Sequence, residues 1–165
     1  MFQLSICGWS SDKTSLNHKD IFSIYLVKNS NLTYATKKPE LKDFVLENTP
    51  LLTVDSIASY NWHSHLISFP MSIKKELSKR EPLLHFLFVV VANDERIYWG
   101  MFTDPADSYF SLSPTISLLL RNHNSSCIPD VYFIARAPII DQDSVDVRND
   151  IRLYIALKAS GKLLP

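Results

Sequence analysis

The stretch "LLHFLFVVVANDERIYWGMF", residues 83–102, constrains the fold of this chain more than any other. Residues 84–92 form a near-continuous apolar run, rich in valine and phenylalanine. "NDE" follows, and then a second, aromatic run over 96–102. Short apolar runs bounded by turn residues read as strands. Two of them joined by Asn-Asp-Glu read as a β-hairpin. The first run offers no polar face to water, so it should be a central strand covered on both sides.

The other elements are arranged around this hairpin. "DIFSIYLVKN" (20–29) predicts a second central strand, with Phe22, Ile24 and Leu26 on one face and Tyr25 and Val27 on the other. In "TPLLTVDSIASY", Thr53 is placed to cap one or two helical turns. "NWHSHLISF" alternates, which predicts a strand with Trp62, Ser64, Leu66 and Ser68 on one side and His63, His65, Ile67 and Phe69 on the other. Pro70 then opens a helix at its first position. That helix turns Ile73 and Leu77 inward and Lys74, Lys75 and Lys79 outward, and it stops at Pro82.

Two further strands are expected within 114–120 and 130–138. The closing "DVRNDIRLYIALKASGKL" predicts a helix capped by Asp146, with Gly161 just past its end. Val147, Ile151, Tyr154, Ile155 and Leu157 form a broad apolar stripe that should lie on the sheet. Single helices alternating with strands, plus a hairpin, indicate an α+β fold. The expectation is one domain over 20–165, with a mixed, mainly antiparallel sheet of about five to six strands and the C-terminal helix packed on it.

Bulk properties exclude several functions. At 165 residues the chain is long enough for one real core and short for two. Lysine plus arginine equals aspartate plus glutamate at 17 each, so no basic surplus points to nucleic acid. Only three glycines are present, and no GxGxxG, GxxxxGK[ST] or GxSxG occurs. No run of 18 apolar residues exists to cross a membrane as a helix. Two sequons, at Asn31 and Asn124, stand against about one expected by chance, and neither carries an inference about secretion.

The two cysteines, Cys7 and Cys127, could form one disulfide, but neither belongs to a CxxC or metal-type spacing. Residues 1–19 have two readings. "LSICGWSSDK" resembles the lipoprotein arrangement of leucine, cysteine and a serine-containing tether, which makes Cys7 a candidate lipid anchor. It departs from that pattern in lacking a basic n-region and in having Ile6 before the cysteine. The other reading makes Cys7 an apolar residue of a first strand.

Candidate chemistry is sparse. On a strand, residues two apart share a face, so His63 and His65 could ligate one ion or serve a small hydrolase. No spacing supplies the third ligand such a site needs. Asp141, Asp143, Asp146 and Asp150 superficially suggest a calcium loop, but the glycine and the terminal glutamate of such loops are missing. Capping and the helix dipole account for these carboxylates. Ser108, Ser111 and Ser113, and Cys127 with His123 four residues before it, show no readable nucleophile–base relation. No cofactor is implied.

The remaining feature is aromatic. Trp99 and Phe102, with Tyr109 and Phe110, lie within twelve residues around a loop that also holds Asp104, Asp107 and Ser108. Such side chains either line a core or form a recognition floor for a protein or small-molecule ligand.

Four segments, "FSIYLVK", "PLLTVDSIASYNWHSHLISF", "ERIYWGMF" and "VRNDIRLYIALKASGKL", cover about half the chain. In their order they resemble a family of uncharacterised bacterial exported proteins, often lipoproteins. The resemblance implies a small mixed α/β fold and an envelope location, membrane-tethered where a signal peptide precedes Cys7 and cytoplasmic otherwise. It implies no activity and no catalytic residues. The expectation is a non-enzymatic binding or interaction domain, against the alternative of an enzyme built on His63 and His65.

Overall fold

The structure, a computed structural model, describes residues 21–28, 39–78, 83, 85–103, 113–117, 131–135 and 145–164. In chain order these form β1 (Phe22–Leu26), β2 (Leu52–Thr53), β3 (Ser59–Asn61), β4 (Leu66–Ser68), α1 (Met71–Ser78), β5 (Leu87–Ala92), β6 (Glu95–Thr103), β7 (Thr115–Ser117), β8 (Val131–Ala135), α2 (Ile151–Ala159) and β9 (Leu163–Leu164). The strands join in the order β2-β1-β5-β6-β7-β8-β4-β3-β9. Among the described residues every pairing is antiparallel except β6 with β7 and β3 with β9. This is the expected α+β domain, its sheet extended beyond the expected strands by pairings only two or three residues long.

β5 takes the central place that its composition demands. It lies between β1 and β6, and all six of its residues are buried. The turn to β6 uses Asn93 and Asp94, at φ 49° and 63°, the left-handed pair that joins strands with the natural twist. The register shifts after Val90: Val90 faces Tyr98 while Val91 faces Arg96. That bulge leaves Ile97 unpaired and lets both Ile97 and Tyr98 enter the same core.

Two apolar clusters cover the two faces of the hairpin. The larger holds Phe22, Ile24, Phe88, Val90 and Phe102 against Leu153 and Leu157 of α2. The smaller holds Val27, Leu87, Val89, Trp99 and Met101 against Phe44. Alternation along β1 therefore sorts its side chains as expected, and each large side chain buried this way contributes about 1.5–3 kcal/mol. Arg96 fastens the segment over the smaller cluster, donating from one guanidinium nitrogen to the carbonyls of Leu41 at 2.6 Å and Phe44 at 3.0 Å.

Three local expectations need correction. Residues 62–65 form the turn between β3 and β4 rather than part of one long strand. His65 sits in that turn at φ 54°, and the Asn61 side chain closes it by accepting the Ser64 N–H at 2.9 Å. On α1, Ile73 is half-buried and Leu77 buried, but Lys74 is only 3% exposed rather than turned outward. Its long stem can lie along apolar surface. The end of this helix near Pro82 and the side chain of Lys79 lie outside the described residues.

The third correction concerns α2. Asp146 does act as a cap, but of the 3-10 turn Val147–Asn149, accepting the Arg148 N–H at 3.1 Å. The chain then extends at Asp150 (ψ 127°), whose carboxylate accepts the Arg152 N–H at 2.9 Å and starts α2. A second capping aspartate four residues on stops the turn from running straight into the helix. The helix buries Leu153, Ala156 and Leu157 and leaves Ile151 and Ile155 exposed, and Val147 of the preceding turn is exposed too, the reverse of the expected stripe for those three. Gly161 ends it as expected, at φ 69°, with Lys162 N–H donating to the Leu157 carbonyl and Gly161 N–H to that of Lys158.

Candidate functional site

The β3–β4 turn, the residues before α2 and the start of α2 bring the most chemically distinctive side chains together. Tyr60, in the middle of β3, is completely buried, and its hydroxyl lies 2.9 Å from His65 Nδ1. The Trp62 ring stands edge-on to His65 at 5.9 Å and to Tyr154 of α2 at 5.1 Å. Lys158, one turn along α2, places its ammonium 5.6 Å from the Tyr154 ring. Below them, Arg148 grips Asp146 with two nitrogens, Nε at 2.9 Å and Nη2 at 2.6 Å, both side chains nearly buried.

Burial sets the electrostatics of this cluster. It pushes the Tyr60 phenol well above its ordinary 10, with the Arg148 charge pulling the other way. Tyr98, on β6, is raised by burial and by Tyr60. His65 is lowered, first by burial and then by the Arg148 charge, with Asp146 opposing. For Asp146 burial raises the carboxyl, but the hydrogen bonds from Arg148 outweigh it and hold the group below its ordinary 3.8. The cluster is a closed clasp. Its polar groups are committed largely to one another, the Tyr60 hydroxyl to His65 Nδ1 and the Arg148 guanidinium to the Asp146 carboxylate.

The two histidines are separated by this turn. His65 is buried against Tyr60, whereas His63 is exposed. The strand geometry that would aim both rings at one ion is absent. Among the described residues no group of three or more His, Cys, Asp or Glu could hold a metal ion.

No protein-family model, curated protein or solved structure matches this chain.

Of the aromatic candidates, Trp99 and Phe102 lie in core clusters on opposite faces of β6. Trp99 packs against Phe44 at 5.7 Å and Phe102 against Phe88 at 5.0 Å. Asp104, Asp107, Ser108, Tyr109 and Phe110, which would complete that surface, lie outside the described residues, as do Cys7 and Cys127. A shallow depression lined by Leu51, Leu52, Ile73, Glu76 and Leu77 has a cavity volume of about 10 Å³. That is below the roughly 300–1,000 Å³ of small-molecule sites.

What the sequence reading missed is the outer face of α2. Ile151 and Ile155 are 64% and 53% exposed, one turn apart, and Val147 and Val145, in the segment before the helix, are exposed as well. Half-buried Trp62 and Tyr154 flank this line, and Leu164, whose carbonyl accepts the Trp62 N–H at 3.4 Å, adds another exposed aliphatic. The charges around it are unevenly matched. Arg152 is bridged to Asp150 and Glu95, whereas Lys158 and Lys162 make no ion pair among the described residues. The aliphatic stripe is visible in the sequence, where its periodicity points to the core, and the structure turns Ile151 and Ile155 outward instead.

Proposed function

We propose that this chain is a protein-interaction domain rather than an enzyme, and that it grips a partner with the outer face of α2 and the neighbouring β3–β4 turn. The observation that carries this reading is the pair Ile151 and Ile155, large aliphatics standing in solvent on a helix whose opposite face is buried. Contiguous exposed apolar surface marks interaction sites. Burying each isoleucine would contribute about 1.5–3 kcal/mol before the costs of association. Trp62 and Tyr154 are the residue types that concentrate binding energy at such surfaces.

Lys158 and Lys162, which form no ion pair among the described residues, give the face a positive rim, so its partner is a protein segment with apolar side chains and acidic neighbours. A photo-crosslinker at position 155 is expected to trap one dominant protein through an acidic, apolar segment, and a crosslinker at exposed Met71 is not. The further changes Ile151→Ser and Lys158→Glu should each reduce that product. Equal trapping from both positions, or capture of lipid or of another copy of the chain alone, would overturn the reading.

An extracytoplasmic location, with the domain carried on a tether from Cys7, belongs to the same proposal. Its support is the "LSICGWSSDK" stretch and the family resemblance. Palmitate labelling of the protein in cells, lost in Cys7→Ser, is the expected result. Wild-type protein that takes up no label would refute the lipid tether.

A further inference from the structure

The Tyr60–His65 contact ties the β3–β4 turn to its own strand β3, and Trp62 of that turn packs edge-on against both His65 and Tyr154 of α2. We propose that His65 is a pH-sensitive latch, whose protonation releases the β3–β4 turn from the buried Tyr60 hydroxyl and loosens the packing of Trp62 on Tyr154 of α2.

The geometry carries the reasoning. His65 is 5% exposed and held at a left-handed φ of 54°, a conformation that an L-residue adopts at a cost when the surroundings hold it there. In the neutral ring one nitrogen donates and the other accepts, so Nδ1 can accept the Tyr60 O–H or donate to it at 2.9 Å. In the protonated ring both nitrogens donate, so Nδ1 no longer accepts, and a Tyr60 O–H that donates to the neutral ring loses this partner. Tyr60 is completely buried, and water cannot replace that partner without opening the turn.

The charges near His65 deepen the effect. Among the described residues it faces Tyr60 from β3, Trp62 and His63 from its own turn, and Arg148 and Asp146 from the turn before α2. Tyr98 of β6 stands behind Tyr60, and Tyr154 of α2 closes the far side of Trp62. A charged His65 thus adds a second cation near Arg148, while the Asp146 carboxylate already accepts four bonds from that arginine, one of them from its backbone N–H. Burial and Arg148 both hold the folded imidazole below its ordinary 6.5.

The sign follows from linkage. Above pH 6.5 the ring is neutral in both the open and the closed turn, and the latch is fully engaged. As pH falls below 6.5 the open form binds the proton first, so closure weakens until the folded ring itself titrates. One proton allows at most about a tenfold shift in the opening equilibrium per pH unit. Asp146 is held below 3.8 and contributes only in more acidic solution, so the two effects occupy separate windows.

The test is hydrogen–deuterium exchange on the whole chain at pH 7.5 and pH 5, corrected for the intrinsic pH dependence. Protection should fall together in peptides covering 59–68 and 151–158, by severalfold, while the β5–β6 hairpin keeps its protection. His65→Gln should abolish that difference and His63→Gln should retain it. Equal protection at the two pH values, loss in only one of the two segments, or loss of the effect in His63→Gln would overturn the proposal. Should His65→Gln fail to fold, NMR titration of the wild-type ring decides. A His65 pKa at or above 6.5 would overturn the latch, and a lower one coinciding with the exchange transition would support it.

Discussion

Gly100 stands directly opposite Phe88 across the β5–β6 pair, and a Cβ built on it would lie 2.3 Å from Phe88 Cζ and 2.4 Å from the Pro114 carbonyl oxygen. The absence of a side chain there lets the phenylalanine ring lie across β6 while β7 approaches from its other side. The Pro114 carbonyl also accepts the Met101 N–H at 3.1 Å, so the backbone on that side is tied in place. The ring is packed 5.0 Å from Phe102 and has little room to withdraw.

Gly100→Ala should therefore destabilise the fold by about 1–3 kcal/mol, the range for overpacking a core, measured by urea denaturation. Phe88→Leu in the same background should recover only part of the loss, because the clash with the Pro114 backbone remains. Full recovery would mean that the ring alone requires the glycine.

The two faces of α2 make opposite predictions. Leu153→Ala and Leu157→Ala remove side chains that are 1% and 0% exposed, and each should cost about 2–5 kcal/mol. Ile151→Ala and Ile155→Ala should change stability by no more than about 0.5 kcal/mol, as for other surface positions. Thermal or chemical denaturation of the four variants checks this. Comparable losses on both faces would show that the outer face is also packed.

That contrast shows where the sequence is legible. The β5–β6 hairpin could be read because an apolar run without a polar face has few places to go in a folded domain. The faces of β1 could be read because strand alternation leaves no second choice of register. The buried face of α2 could not. Val147, Ile151 and Ile155 recur at four-residue spacing, while Leu153, Ala156 and Leu157 recur at three and four, so the helix is apolar nearly all round. Periodicity then offers two candidate inner faces, and only packing against β1 and β5 chooses between them.

The histidine turn failed for a similar reason. Residues 61–69 alternate well enough to pass as one strand, and no glycine or Asn-Gly pair marks the reversal. The turn is instead made by the Asn61 side chain, which accepts from both the Ser64 N–H and the Ser64 hydroxyl, and by the buried contact of His65 with Tyr60. A turn stabilised by tertiary burial leaves little trace in local composition.

The Asn93–Asp94 turn holds a margin of stability that substitution should reveal. Both residues sit at positive φ, where aspartate carries a cost that glycine does not. Asp94→Gly should raise stability by about 0.5–1 kcal/mol, since Asn-Gly is the preferred pair for such a turn and Asp94 is exposed. A fall in the urea midpoint would show that the Asp94 side chain makes a contribution exceeding the backbone gain.

The buried phenols of Tyr60 and Tyr98 predict a steep loss of stability in alkali. Both are held neutral in the folded chain by burial, so their folded pKa values lie above the ordinary 10 at which the unfolded chain ionises. Below pH 10 neither state ionises and the native protein keeps its full stability. Above it the unfolded state loses protons that the native state retains, so stability falls with rising pH until the folded phenols titrate. Each phenol sets a limiting slope of about 1.4 kcal/mol per pH unit. Urea denaturation between pH 9 and 11 should show this decline, and Tyr98→Phe should roughly halve it. Tyrosinate absorbance supplies the independent check: of the seven tyrosines, these two should ionise only together with unfolding. If both ionised near pH 10 in the native protein, the burial assigned to the Tyr60–Tyr98 core would be wrong.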